Sequence, residues 1–127
     1  MDPVSDMFIR LKNASRAGHE TVTLPYSRFK NELAKVLERH GYVAGLERKG
    51  KRVRKTLEIT LKGDKEHPAI HDVALISKPS RRLYRPYRAI TRAKRGGIVI
   101  ISTPQGAMSG EEAHRAKVGG EMVAEVW

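Results

Sequence analysis

Apolar residues recur with two different periods along this 127-residue chain, and their order restricts the fold more than any other feature. Val4, Met7, Phe8 and Leu11 follow the i, i+3, i+4, i+7 spacing of a helix with one buried stripe. Asp2 suits its cap, Pro3 suits the first helical position, where a missing N–H costs nothing, and Gly18 suits its end. Residues 20–24 then alternate as a strand and stop at Pro25. Ser27 opens a second helix with Phe29, Leu33, Val36 and Leu37 as its apolar face, and His40 and Gly41 close it. From there the period is two. Residues 42–48 and 53–61 read as a hairpin turning through Lys49-Gly50-Lys51, with Leu57, Ile59 and Leu61 on the buried face.

The polar stretch 62–68, with Gly63 and Pro68, reads as a linker. Beyond it, 72–77 is expected to be a strand. The arginine-rich segment 78–95, interrupted by Pro79 and Pro86, permits at most a short helical stretch within 87–93. Gly96-Gly97 leads into the strand 98–102, which a Pro104-Gln105-Gly106 turn ends. Ser109 and Glu112 have the spacing of a capping box, so a helix of roughly eight residues should precede Gly119-Gly120, and 121–126 should close the domain as a strand. The expected fold is therefore α+β in two small domains: an N-terminal α-β-α-β-β domain over 1–64, and a C-terminal domain, mostly β with short helices, over 65–127.

Charge narrows the function. Lys and Arg outnumber Asp and Glu by 25 to 14, a net charge of +11 that points to nucleic acid or another anionic surface. The excess is concentrated. Residues 48–55 hold six bases in eight positions, and residues 78–95 hold eight in eighteen; neither segment contains an acid. Two such segments suit one long polyanion. The first sits on a hairpin tip, where a merely mobile, solvated tip is an equally good reading. In the second, Tyr84 and Tyr87 interleave with Arg81, Arg82, Arg85 and Arg88, which suits stacking on nucleotides, although Tyr84 could equally be a packing tyrosine.

Catalysis finds little support. Without cysteine there is no disulfide, thiolate metal site or thiol nucleophile. His67 and His71 are four apart, but Pro68 lies between them and no third ligand is near. Glu111 and Glu112 read as first-turn carboxylates of a helix. No catalytic residues, metal or cofactor are expected. No apolar run is long enough to span a membrane, and the N-terminus does not read as a signal peptide, so the cytoplasm is the expected location.

Several motifs, in order, carry a resemblance. Asp2-Pro3-x-x-Asp6-Met7 with Arg10-x-Lys12-Asn13-Ala14, then Pro25-x-Ser27, Gly41-Tyr42, and Ser77-Lys78-Pro79 through Tyr84 are the first of them. Ile101-Ser102-Thr103, Gly119-Gly120-Glu121 and Glu125-Val126-Trp127 follow. The ordered set resembles the eighth-protein family of the bacterial small ribosomal subunit over essentially the whole chain. That resemblance implies a structural, primary binder of small-subunit ribosomal RNA that seats an irregular helix of the central domain and supports assembly beside neighbouring small-subunit proteins. It implies RNA contacts at Ser102, Thr103, Gly106, Gly119, Gly120 and Glu121, with Tyr84 beside them; Gln105 in the same loop and the neighbouring bases Lys78, Arg82 and Arg85 complete the expected RNA-binding set. Backbone contacts would come from Arg10 and Asn13 on the first helix. Two departures stand out. The family loop continues Ser-Lys-Gly where this chain has Pro104-Gln105-Gly106, which removes a hydroxyl and a cation at the contact assigned to Gln105. The family has glycine where this chain has Ser80.

Two other readings fit the charge. A DNA reader would need a recognition helix, and Arg28, Asn31, Lys35 and Arg39 give a partial match on a helix whose apolar face is needed for packing. A nuclease would need clustered carboxylates or a histidine acid and base, and the acids are dispersed. Membrane and DNA partners are not expected. Ser102 and Thr103, at the tip of a stiff strand, are expected to present their hydroxyls to RNA; the alternative is that they serve the backbone of the turn.

Overall fold

A computed structural model describes residues 2–127. The chain divides into two compact units, Pro3–His71 and Asp72–Trp127. Helices and two antiparallel sheets give the α+β class expected from the sequence.

In the first unit, helix α1 (Pro3–Ala17) buries Met7, Phe8, Leu11, Ala14 and Ser15. Strand β1 (Thr21–Pro25) alternates exposed and buried residues and buries Val22 and Leu24. Helix α2 (Arg28–Arg39) begins at Ser27, whose hydroxyl accepts the Lys30 N–H at 3.1 Å, and ends at the His40 cap. It buries Leu33, Ala34, Val36 and Leu37. Lys30 is also buried, with its ammonium donating to the Pro25 carbonyl at 2.9 Å. Strands β2 (Val43–Lys49) and β3 (Thr56–Leu61) complete a sheet of order β1-β3-β2, with Leu57, Ile59 and Leu61 facing the core. Truncating any one of these three side chains to alanine would cost about 2–5 kcal/mol, which shows how much of the unit rests on the stripes read from the sequence.

Two expectations change here. The hairpin strand expected over 53–61 begins only at Thr56, and the turn lies further on, closed by the Arg54 N–H donating to the Lys51 carbonyl at 3.0 Å. Four close cations favour an open loop over continued pairing. The stretch 62–68 is not a free linker either. Asp64 accepts the N–H groups of His67 at 2.8 Å and Glu66 at 2.9 Å, and these bonds, that of His67 foremost, hold its carboxyl below the usual range. Ile70 is buried, with its N–H donating to the Ser15 hydroxyl at 3.2 Å, and Arg16 donates to the His71 carbonyl at 3.0 Å. Residues 65–71, read from sequence as part of the second domain, thus pack in the first unit.

The second unit consists of β4 (Val73–Leu75), β5 (Tyr84–Arg85), a 3₁₀ turn (Tyr87–Ala89), β6 (Ile98–Thr103), β7 (Gly106–Ser109), α3 (Gly110–Ala116) and β8 (Gly120–Val126). The sheet order is β4-β8-β6-β7, and β5 also pairs with β8. Strand β8 is therefore central, and all but its first two residues are buried. Val99, Ile101, Ala113 and Met122 form a core against which Ile76, Leu83, Ile90, Ala93, Met108 and Val118 pack. The capping box is present: Ser109 accepts the Glu112 N–H and Glu112 accepts the Ser109 N–H. The expected strand 72–77 shortens to three residues. Ser77 is spent differently, its buried hydroxyl accepting the Leu83 N–H at 2.9 Å. Between them, Lys78 and Arg81 exchange both backbone hydrogen bonds at 2.9 Å, and Ser80 does so without a positive φ. Among the described residues no helix is long and apolar enough to cross a membrane, and no three His, Asp or Glu side chains gather as metal ligands.

Candidate nucleic-acid interface

Strand register builds the site. Ser102 on β6 pairs with Glu121 on β8, and Glu121 pairs with Tyr84 on β5. The next ladder row inward, Ile101 with Met122, belongs to the core. Side chains alternate faces along a strand, so Ser102, Glu121 and Tyr84 form one row on the open face, roughly 10 Å across at the usual strand spacing. Tyr84 is 65% exposed. The Ser102 hydroxyl has no hydrogen-bond partner among the described residues.

A shallow depression lies on this row, lined by Tyr84, Arg85, Pro86, Ser102, Pro104, Gly119, Gly120 and Glu121. Arg82 reaches Glu121 at 3.4 Å, which fixes the only carboxylate of the lining. Arg85, which also lines the depression, donates to the Tyr84 carbonyl at 3.2 Å. Arg88 lies over the Tyr87 ring at 5.5 Å, and that ring meets His114 edge-on at 5.8 Å. The result is an exposed aromatic face, an unpartnered hydroxyl and a rim of guanidinium groups. Such a surface can stack on a base, hydrogen-bond a ribose and neutralise phosphate.

The two glycines are there because nothing larger fits. A Cβ on Gly120 would overlap the Ser102 carbonyl oxygen, and one on Gly119 would overlap the Arg85 carbonyl oxygen and lie 2.7 Å from the Pro86 Cα. Their place in the depression follows from this tight approach of β8 to its neighbours.

Thr103 is differently employed from Ser102. Its hydroxyl donates to the Gly106 carbonyl at 2.7 Å and accepts the Gln105 N–H at 3.1 Å, closing the turn between β6 and β7. The side chain read as a presented hydroxyl thus serves the backbone of the loop and positions Gln105 and Gly106. Thr103→Val is expected to lower stability by about 1–2 kcal/mol through these two bonds. Thermal denaturation checks this, with RNA affinity measured in parallel. An unchanged melting temperature with weakened affinity would return the hydroxyl to the RNA.

The other residues read from sequence fall into two places. Gln105 is exposed at the loop tip, and Lys78 is exposed in its tight turn. Arg10 and Asn13 are both exposed on α1 of the first unit, Arg10 paired with Asp6 at 3.0 Å. Sequence reasoning missed Pro86 and Pro104 as lining residues and Arg82 as the partner of Glu121. The only signal for Pro86 was its position two residues beyond Tyr84.

Comparison with known proteins finds relatives along nearly the whole chain. The pattern of the family described as Ribosomal protein S8 matches residues 2–127. A protein of Bifidobacterium animalis subsp. lactis named Small ribosomal subunit protein uS8 is 45% identical over 128 residues, covering 99% of this chain and 97% of that protein. Proteins of the same name from Dictyoglomus thermophilum and a Synechococcus species are each 42% identical, again over 99% of this chain and 97% of theirs. With a family pattern spanning the whole described chain and relatives well above 30% identity across it, the chain belongs to the ribosomal protein S8 family.

Proposed function

We propose that this chain is a structural constituent of the small ribosomal subunit that binds small-subunit ribosomal RNA directly and supports assembly of the subunit. Its role is structural, not enzymatic. The RNA seated on the second unit is an irregular helix of the central domain, whose shallow minor groove exposes ribose hydroxyls and base edges to a flat surface. Neighbouring small-subunit proteins complete its surroundings, and its place is the ribosome in the cytoplasm. One observation carries the reading: the Ser102–Glu121–Tyr84 row lies open on three paired strands, beside arginines whose only carboxylate partner in the depression is Glu121. Gly119 and Gly120 keep that surface flat, and Thr103 holds the loop beside it.

The test is affinity for a central-domain ribosomal RNA fragment and for a DNA duplex of equal length at matched salt. RNA should bind more tightly. Tyr84→Ala should weaken RNA binding by about 1–3 kcal/mol, the range for losing one stacked base. The exposed ring contributes little to the core, so the melting temperature should hold. Equal affinity for the two duplexes, or a Tyr84→Ala variant that binds like the parent, would overturn the reading.

A further inference from the structure

The hairpin tip of the first unit carries charge that the fold does not use. Of the six bases in residues 48–55, two are engaged at the base of the arm. Arg48 lies over the Tyr26 ring at 5.1 Å. Lys49 reaches Glu58 at 3.1 Å and Glu47 at 3.9 Å, and the bond to Glu58 with both charges raises its pKa above the ordinary lysine range. Those two carboxylates are thereby spent. Lys51, Arg52, Arg54 and Lys55 are all exposed and have no carboxylate partner among the described residues.

This cluster is not a loose tail. The Tyr26 N–H donates to the Lys55 carbonyl at 3.0 Å, tying the arm to the chain between β1 and α2. Gly50, at φ 98°, lets the backbone close against the Arg54 carbonyl, and the Arg54 N–H bonds back to Lys51 at 3.0 Å. Between the two arginines, Val53 is 93% exposed and adds nothing to the core. A tip needed only for solubility would mix signs of charge. This one gathers like charges on an anchored turn, where they repel one another until an anion arrives.

We propose that the β2–β3 tip is a second RNA contact: an arm that binds phosphate backbone through Lys51, Arg52, Arg54 and Lys55 without reading sequence. The proposal rests on the RNA-binding reading above. It differs from what the family resemblance implies, which assigns the first unit's contacts to Arg10 and Asn13 on α1. Ribosomal RNA is favoured over an acidic protein segment because residues 51–55 are four cations and a single valine, and the one aromatic beside them, Tyr26, is half-buried and covered by Arg48.

The test uses the full chain, a variant with Lys51, Arg52, Arg54 and Lys55 all changed to Gln, and Tyr84→Ala. The probes are the central-domain ribosomal RNA fragment and an unrelated structured RNA of equal length, each titrated from low to moderate salt. Since each neutralised phosphate contributes about 0.7–0.9 to the log–log salt slope, the quadruple variant should lose about 3 from it. Both RNAs should weaken by the same factor, so the preference for the central-domain fragment should survive. Tyr84→Ala should reduce that preference and keep its slope. An unchanged slope in the quadruple variant would overturn the arm, including where the variant instead lost binding to an acidic protein. A reduced slope in a chain that shows no preference between the RNAs would support the arm and overturn the specific site on the second unit.

Discussion

Gly120→Ala is expected to cost the second unit about 3 kcal/mol, the upper part of the range for forced overpacking. The added methyl would overlap the Ser102 carbonyl oxygen and lie 3.1 Å from the Thr103 Cα. Both are backbone atoms of the neighbouring strand, so no rotamer change relieves the clash. Neither Gly119 nor Gly120 has a positive φ, so the demand is for space alone. At roughly 4–8 °C per kcal/mol for a domain of this size, the melting temperature of the unit should fall by more than 10 °C. Thermal denaturation followed by hydrogen exchange at the β8 amides reads the effect directly. A Gly120→Ala protein with parental stability would mean that β6 and β8 are not so close. RNA binding should be lost in parallel, and that loss alone would say nothing of a contact at Gly120.

Glu125→Ala should destabilise the same unit by a comparable amount, about 3 kcal/mol, since hydrogen bonds to a charged group contribute about 1.5–3 kcal/mol each. Glu125 is only 7% exposed. One carboxylate oxygen accepts the Lys94 N–H at 2.7 Å and the Arg95 N–H at 3.3 Å. The other lies 3.5 Å from the Arg95 guanidinium, which stacks over Trp127 at 4.5 Å. One buried acid thus fixes the end of the arginine-rich segment on the sheet. Alanine strands two backbone donors and frees Arg95 from the indole. Glu125→Gln keeps one acceptor and should cost about half as much. The chain has a single tryptophan, so its emission reports on this corner alone. Unaltered emission together with parental stability in Glu125→Ala would rule out the fixing role.

How far the sequence revealed all this depended on element length. Helices α1 and α2 and strands β1, β3, β6 and β8 repeat their apolar residues several times, and each lies within a few residues of where its period places it. The capping box at Ser109 and Glu112 was legible because it rests on two residues at a fixed spacing. Strands β5 and β7 were missed. Two to four residues give one or two alternations, too few to stand out, and what makes Tyr84–Arg85 a strand is β8, thirty-five residues further along. The site was legible as chemistry but not as geometry. Hydroxyls, glycines and arginines stood out in the sequence. Only the three-dimensional arrangement shows that the Ser102 hydroxyl has no partner among the described residues while Thr103 closes its own turn, and that the glycines answer to the Ser102 and Arg85 carbonyls. The closed loop at Asp64 read as a linker because a short Asx turn and a flexible tether share the same composition.

Strand β8 separates β4 and β5 from β6, so the sheet has no partial form that carries the Ser102–Glu121–Tyr84 row. Translation delivers the chain from its N-terminus, so β4 and β6 are made before the strand that lies between them. A copy broken off before Gly120 would keep its basic hairpin yet lack the Ser102–Glu121–Tyr84 row. The strand order thereby makes the row depend on β8, the last of its strands in chain order.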